Sequence, residues 1–234
     1  MPAGPSPQRV RVSWLVSNPE LAWQRERLEF LKEGELHVWC ALIPALRNEL
    51  ASLKAVMSED ERAREQRYVR DADAQQFSIG RGLLRCLLSS YLGPPPDQLT
   101  FTYGPFGKPM LAQSVQFNVS HSDALIVVVL AWGNQVGVDI ERIDRRVNLL
   151  ELAARFFPAE EHEYLSALPN TERDRAFYRM WTRKEACVKA TGDGLRALDQ
   201  CGSCRMIELS LHPDYCAAIA IAPSPYVRDP ASLA

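Results

Sequence analysis

Two carboxylates of the sequence, Asp139 and Glu141, have the spacing of a cation site. They stand two residues apart in the segment GVDIE, at the end of an apolar run that predicts a buried strand. Because side chains alternate along a strand, both carboxylates would share one face. Two carboxylates on one face repel each other and resist desolvation, and a cation is the simplest compensation. Oxygen ligands without histidine or cysteine favour Mg²⁺ or Mn²⁺ over Zn²⁺, unless the strand has reached solvent and both acids are surface groups.

A third carboxylate, Glu185, lies in the segment WTRKEACVKATGDGL. On a helix it would share one face with Trp181, Val188 and Lys189. An exposed Glu–Lys pair explains such spacing in many helices. A carboxylate among apolar neighbours can instead complete a metal site or act as a general base toward a hydroxyl. Both interpretations stay open on this segment alone.

Several cationic and hydroxyl groups could hold phosphates beside such a cation. Lys108 lies in a turn between a glycine and a proline, where the glycine allows close backbone approach. Ser120 and His121 offer a hydroxyl and an imidazole where a strand ends, and Arg81 and Arg85 lie one turn apart on a helix. Each has a structural alternative, which is a solvated lysine, a histidine that only hydrogen-bonds within the fold, or arginines that extend along the helix surface.

Composition argues against several classes of function. The chain has 234 residues and a formal net charge of −2, which gives no support for a general binder of nucleic acid or membrane surfaces. No apolar run reaches the roughly 20 residues that span a bilayer, and the Pro-rich N-terminus lacks a signal-peptide core. The six cysteines are scattered, as reduced thiols often are, and CGSC (201–204) is one CxxC pair without a second. We therefore expect a cytoplasmic protein without nucleic-acid or membrane partners.

The elements that must position these residues form an α+β pattern. Apolar patterns predict strands at 35–43, 115–123, 136–141, 206–212 and 216–222, and the continuous apolar run at 124–132 has the length of a buried strand. Helical spacing predicts helices at 72–92, 148–157, 157–168 and 172–191, and Ser58 with Glu61 forms a capping box that starts a further helix. Strands 124–132 and 136–141 are separated by a Gly-Asn turn and are expected to be a buried antiparallel pair. This order indicates two lobes joined near residues 133–137.

Four segments, taken in order, resemble a known family. FGKP, FNVSHSD, GVDIERID and WTRKEACVKATGDGL are similar to the signature blocks of the 4′-phosphopantetheinyl transferases, specifically the two-lobed Sfp type. They span residues 104–195 in the family's order and spacing, and weaker similarity runs from Arg67 through Gly80 to Arg85. Asp-x-Glu alone is unspecific, but GVDIE followed downstream by W-x-x-KE-x-x-x-K is highly specific.

The resemblance implies a fold and a reaction. The fold would be two similar α/β lobes, residues 1–135 and 136–234, that form a pseudo-dimer with the active site in the cleft between them. Members of the family move the phosphopantetheine arm of coenzyme A onto a serine of an apo acyl or peptidyl carrier protein, and they release adenosine 3′,5′-bisphosphate. Mg²⁺, or Mn²⁺, is the expected cofactor, coenzyme A the co-substrate, and a monomer the expected state.

The resemblance also assigns roles to individual residues. Asp139, Glu141 and Glu185 would hold Mg²⁺ against the pyrophosphate, and Glu185 would take the serine proton, directly or through a metal-bound water. Lys189 would sit by the pyrophosphate and offset charge. Coenzyme A would be bound by the cationic and hydroxyl groups, with Lys108, Ser120 and His121 on its phosphates, and with Arg81 and Arg85 as further contacts.

The chain departs from the family pattern at Gln76, where related proteins often carry an arginine. Arg64, Arg67 and Arg70 lie upstream instead.

Two other hypotheses compete with the transferase. The first is a non-catalytic module that binds a carrier protein or nucleotide on the same fold. The second is a Mg-dependent phosphohydrolase without a protein acceptor. The intact set of three carboxylates and one lysine argues against the binding module, which has no need of all four. The carrier could belong to fatty acid, polyketide or nonribosomal peptide synthesis.

Overall fold

Nine strands and six α-helices lie in the part of the chain that the computed structural model describes, which is residues 9–15, 31–112, 115–144, 146–194 and 204–222. The strands are β1 (Arg9–Leu15), β2 (Glu35–Leu42), β3 (Thr102–Tyr103), β4 (Pro109–Met110), β5 (Val115–Ser122), β6 (Leu125–Trp132), β7 (Val136–Arg142), β8 (Arg205–Leu209) and β9 (Tyr215–Ile221). The helices are α1 (Leu50–Ala55), α2 (Glu59–Glu65), α3 (Asp71–Leu92), α4 (Leu149–Phe156), α5 (Ala159–Ala167) and α6 (Asn170–Thr191).

Most predicted elements are confirmed to within a few residues. The capping box starts α2, where the Ser58 backbone N–H donates to Glu61 Oε2 over 3.0 Å. Helix α6 ends at Thr191 and is capped by Gly192, whose φ of +79° is the left-handed value that glycine adopts without strain. Residues 201–203 of the CGSC segment lie outside the described residues, but the Cys204 sulfur lies 3.0 Å from the Cys187 sulfur.

The prediction that β6 and β7 form an antiparallel pair is wrong. Strand β6 pairs with β2 and β5 in a four-stranded sheet of order β1-β2-β6-β5. Strand β7 pairs with β9 in a separate sheet of order β7-β9-β8. Both strands are apolar because the two sheets face each other, and a burial pattern cannot distinguish a facing strand from a paired one.

The two sheets form the inner layers of a four-layer stack. Their facing sides bury one apolar cluster, in which Val127 and Val129 of β6 meet Val138 and Ile140 of β7. The outer side of the first sheet packs on α3, and the outer side of the second packs on α6. Each lobe is therefore a long helix on one sheet, and the expected α+β fold of two similar lobes is confirmed. None of the described helices combines the length and the apolar character needed to cross a bilayer.

Gly137 allows β7 to approach α6 more closely than any other residue would. A Cβ atom at this position would lie 2.1 Å from the Ala186 carbonyl oxygen and 2.3 Å from the Ala190 nitrogen. Because these are backbone atoms of a helix, they cannot move aside as a flexible side chain would. The close approach brings the next outward residue of the strand, Asp139, within reach of Lys189 on α6.

We expect Gly137→Ala to destabilise the protein by about 1–3 kcal/mol, the usual cost of overpacking. Gly80→Ala is the matched control, because its Cβ would meet only the Ile126 Cδ1 atom, at 3.2 Å, and alanine favours the helix. Urea unfolding of both variants measures the difference. Equal stability of the two variants would contradict the close packing of β7 on α6.

Candidate active site

The centre of the site is a buried contact among Asp139, Lys189 and Ser120. The Lys189 ammonium lies 2.5 Å from Asp139 Oδ1 and donates to Ser120 Oγ over 3.2 Å. The Ser120 hydroxyl donates to Asp139 Oδ1 over 2.9 Å. Asp139 is only 3% exposed, and a buried carboxylate needs such partners to remain charged. The helical pairing considered for Glu185 and Lys189 is therefore replaced, in the described structure, by an ion pair between Lys189 and Asp139.

The two other predicted carboxylates lie close enough to feel this charge. Burial and the charge of Asp139 raise the pKa of Glu141 to about 7. Burial also raises the pKa of Glu185, and the charge of Asp139 adds to the effect against the opposing charge of Lys189. Burial raises the pKa of Asp139 itself, although Lys189 and Ser120 counteract the rise. Three carboxylates share one lysine, so their charged forms are only partly compensated.

This imbalance fits a divalent cation. Asp139 Oδ2 is buried without a hydrogen-bond partner, so one oxygen of the cluster has an unused coordination capacity. Among the described residues, however, the carboxylates do not converge into a group of three that could ligate one ion as they stand. Magnesium commonly takes one or two protein carboxylates and completes its shell with waters and substrate phosphates. Two of the three carboxylates with a phosphate would meet that requirement.

A cavity of about 430 Å³ opens beside the cluster, between α3 of one lobe and α6 of the other. Five of the residues predicted from the sequence line it, and these are Arg81, Lys108, His121, Glu185 and Lys189. The other four do not line it, and these are Arg85, Ser120, Asp139 and Glu141. Ser120 and Asp139 lie behind Lys189, whereas Glu185 faces the open space.

Lys108 is placed differently from a solvated lysine. Its ammonium donates to the carbonyl oxygens of Ala190 over 2.6 Å and of Val136 over 3.2 Å. Ala190 lies in the last turn of α6, where carbonyls lack helical partners and attract cations. Burial lowers the pKa of Lys108 to about 8. The lysine thus ties the 104–108 turn of the first lobe to the second lobe while it lines the cavity.

The two predicted arginines of α3 have different environments. Arg85 is 1% exposed, donates from Nε to Glu61 over 2.6 Å, and donates from Nη1 to the Pro96 and Leu99 carbonyls. The expectation that Arg85 contacts coenzyme A is therefore corrected, because it is sealed within the first lobe. Arg81 lines the cavity, and its buried Nη1 atom has no hydrogen-bond partner.

His121 lies at the edge of the cavity with an exposed side chain. Partial desolvation, with the nearby charge of Lys189, lowers its pKa. The lowered pKa favours the neutral ring, which can donate one hydrogen bond and accept one.

Sequence analysis missed the aromatic part of the cavity. Tyr68, Phe77 and Phe106 line it, and the Arg64 guanidinium lies 5.2 Å from the centre of the Phe77 ring. Arg64 lies among the arginines upstream of Gln76 that the sequence offered, and it also lines the cavity. No local pattern marks an aromatic residue as a ligand contact rather than as part of the core, and the only available signal was that Phe106 lies in the FGKP block and the other two lie in the weaker family match of residues 67–85.

Comparison with known proteins assigns the chain to a family. Residues 44–132 match the N-terminal part of the 4′-phosphopantetheinyl transferases, and residues 135–225 match the 4′-phosphopantetheinyl transferase superfamily. The 4′-phosphopantetheinyl transferase HetI of Nostoc sp. is 36% identical over 217 residues, which cover 91% of this chain and 86% of the relative. A putative 4′-phosphopantetheinyl transferase of Synechocystis sp. is 40% identical over 162 residues, 68% of this chain and 65% of the relative. A 4′-phosphopantetheinyl transferase of Bacillus subtilis is 30% identical over 145 residues, 61% and 63% of the two chains.

The chain therefore belongs to the 4′-phosphopantetheinyl transferase superfamily and is an enzyme of the transferase class. The family resemblance of the four sequence segments is confirmed. Assignment to the Sfp type stays a prediction.

We expect Arg85→Ala to reduce stability by about 3 kcal/mol, because the buried Glu61 carboxylate loses its shorter ion pair and keeps only the longer one to Arg81 and the hydrogen bond from the Ser58 N–H. Arg62→Ala is the control, since Arg62 is exposed on the neighbouring turn of α2. Chemical denaturation measures both. Wild-type stability of Arg85→Ala, together with weaker coenzyme A binding, would return Arg85 to the ligand site.

The lowered pKa of Lys108 predicts a pH dependence of stability. Because the folded protein holds this proton less tightly than the unfolded chain does, the contribution of Lys108 to the free energy of unfolding should rise with pH above about 8 and level off near the ordinary lysine pKa. We expect wild type to gain stability relative to Lys108→Met over that window. Lys32→Met, at an exposed lysine, should show no such trend, and a flat difference for Lys108→Met would disprove the shift.

Proposed function

We propose that this protein transfers 4′-phosphopantetheine from coenzyme A to a serine of an apo carrier protein. The serine oxygen bonds to the phosphorus that carries the pantetheine arm, the pyrophosphate P–O bond breaks, and adenosine 3′,5′-bisphosphate leaves. The observation that carries the proposal is the Asp139–Lys189–Ser120 contact at the wall of an interlobe cavity, in a chain of this family.

Of the three carboxylates, only Glu185 lines the cavity, whereas Asp139 and Glu141 lie beside it. Glu185 faces the cavity, and its raised pKa makes it a better proton acceptor at neutral pH than an exposed glutamate. We assign to it the proton of the attacking serine. Asp139 and Glu141, with Glu185, are the residues that would hold Mg²⁺, or Mn²⁺. The ion would neutralise charge on the pyrophosphate, which is the main requirement of phosphoryl transfer.

The basic side chains that line the cavity would hold coenzyme A. Lys189 lines the cavity next to Glu185 and offsets negative charge on the transferred phosphate. His121, Arg81 and Lys108 face the same space, and we assign them to the phosphates. The first lobe (residues 1–135) then supplies most contacts to coenzyme A, and the second (136–234) supplies the carboxylates. The cytoplasmic location and the monomeric state stay predictions.

We expect an apo carrier protein to gain the mass of one phosphopantetheine when it is incubated with this protein, coenzyme A and Mg²⁺, and to gain nothing in EDTA. Intact-mass spectrometry is the measurement, with an acyl carrier and a peptidyl carrier in parallel. Gain on one carrier alone identifies the class of acceptor. Release of free phosphopantetheine into water, without gain on any carrier, would favour a phosphohydrolase instead.

Glu185→Gln should lower the turnover by about 10²–10⁴-fold, the usual contribution of a general base. Glu172→Gln is the matched control, because it makes the same change at an exposed site in the first turn of the same helix. Circular dichroism confirms that both variants are folded. Near-wild-type turnover of Glu185→Gln would remove this residue from the mechanism.

A further inference from the structure

Strand β7 is an edge strand of its sheet that the fold nevertheless buries. It pairs with β9 on one side only, and Val138 and Ile140 are fully buried against the other sheet. The N–H groups on its unpaired side must therefore find acceptors, since a buried N–H without a partner is costly.

Side chains of β5 provide those acceptors in place of a backbone ladder. Asn118 Oδ1 accepts from the Val138 N–H over 3.0 Å, and Ser122 Oγ accepts from the Arg142 N–H over 3.0 Å. Between them, Ser120 Oγ lies 3.4 Å from the Ile140 nitrogen. The acceptors recur every second residue, as do the donors, so β5 and β7 run parallel in one fixed register.

Two of these side chains also bond to the carboxylates. Ser122 Oγ donates to Glu141 Oε2 over 2.8 Å while it accepts from the backbone of β7, and Ser120 Oγ donates to Asp139 in the same way. One hydroxyl therefore fixes both the strand and the carboxylate that the strand carries. A slip of β7 by one residue would turn Asp139 and Glu141 towards the apolar face between the sheets.

We propose that Ser122 and Asn118 are positioning residues that set the carboxylates of β7 for the cation, an inference that rests on the proposed function. Ser122 does not line the cavity, so it acts through Glu141 rather than by touching substrate. Asn118 lines the cavity, but its Oδ1 atom is bonded to the Val138 N–H, so it fixes the other end of the same strand.

The test compares Ser122→Ala, which loses both hydrogen bonds, with Ser122→Thr, which keeps the hydroxyl. Two quantities are measured, namely the Mg²⁺ concentration for half-maximal transfer and the affinity for Mn²⁺, read from the electron paramagnetic resonance of free Mn²⁺. We expect Ser122→Ala to weaken both by about 10-fold or more, as loss of a partner to a metal ligand usually does. The KM for coenzyme A should stay near wild type, and Ser122→Thr should restore both quantities.

Ser90→Ala is the control, because Ser90 is partly buried and donates to the Leu87 carbonyl in the first lobe, away from the carboxylates. It should leave both metal measurements unchanged. If Ser122→Ala does not fold, Asn118→Ala carries the Mn²⁺ titration, made without coenzyme A because Asn118 also lines the cavity, and weaker Mn²⁺ binding is expected. Normal Mn²⁺ affinity in a folded variant, with only a lower melting temperature, would reduce these residues to a structural role.

The two proposals fail in different ways. If wild type modifies no carrier, the proposed function falls, while the Mn²⁺ titration of the variants still decides the positioning role. If wild type modifies a carrier and the variants bind Mn²⁺ normally, only the positioning role falls.

Discussion

A buried carboxylate has to be paired, and the pairing of Asp139 constrains most of the molecule. Its partners come from two other elements, Lys189 from α6 and Ser120 from β5. Strand β7 must therefore approach α6 on one side and β5 on another. Gly137 permits the first approach, and side-chain hydrogen bonds from β5 achieve the second. The lobe boundary is where these requirements meet, so the active site and the lobe interface are one structure.

The cationic residues near the cavity divide according to what they already bind. Arg85 donates its hydrogen bonds to Glu61 and to backbone carbonyls, and these bonds stabilise the first lobe. Lys108 donates hydrogen bonds to two carbonyls of the second lobe, and it also lines the cavity. Arg81 pairs with Glu61 through Nε over 3.4 Å, but its buried Nη1 atom has no hydrogen-bond partner. Whether a cationic side chain can bind an anionic ligand therefore depends on which of its donors are still unpaired, and residue type alone does not show this.

The carboxylates show the opposite balance. Asp139, Glu141 and Glu185 all have raised pKa values, with burial as the leading cause, and Lys189 counteracts only part of the effect. A site of this kind is electrostatically incomplete and gains from a cation or from protons. Coupled with an interlobe cavity in a member of this transferase family, the imbalance suits a reaction in which phosphate charge must be neutralised.

The sequence by itself determined most of the elements, the family and most of the candidate site, although it predicted neither β1 nor α1. Periodicity located α3 and α6, because local spacing records which face of a helix is buried. Motif order brought Asp139, Glu185 and Lys189 into one hypothesis before any contact was known. Only the tertiary structure decided that β6 and β7 belong to facing sheets, that Arg85 is sealed away, and that Lys189 pairs with Asp139. These outcomes depend on which distant groups compete for each hydrogen bond and for each buried surface, and that competition is not encoded in local spacing.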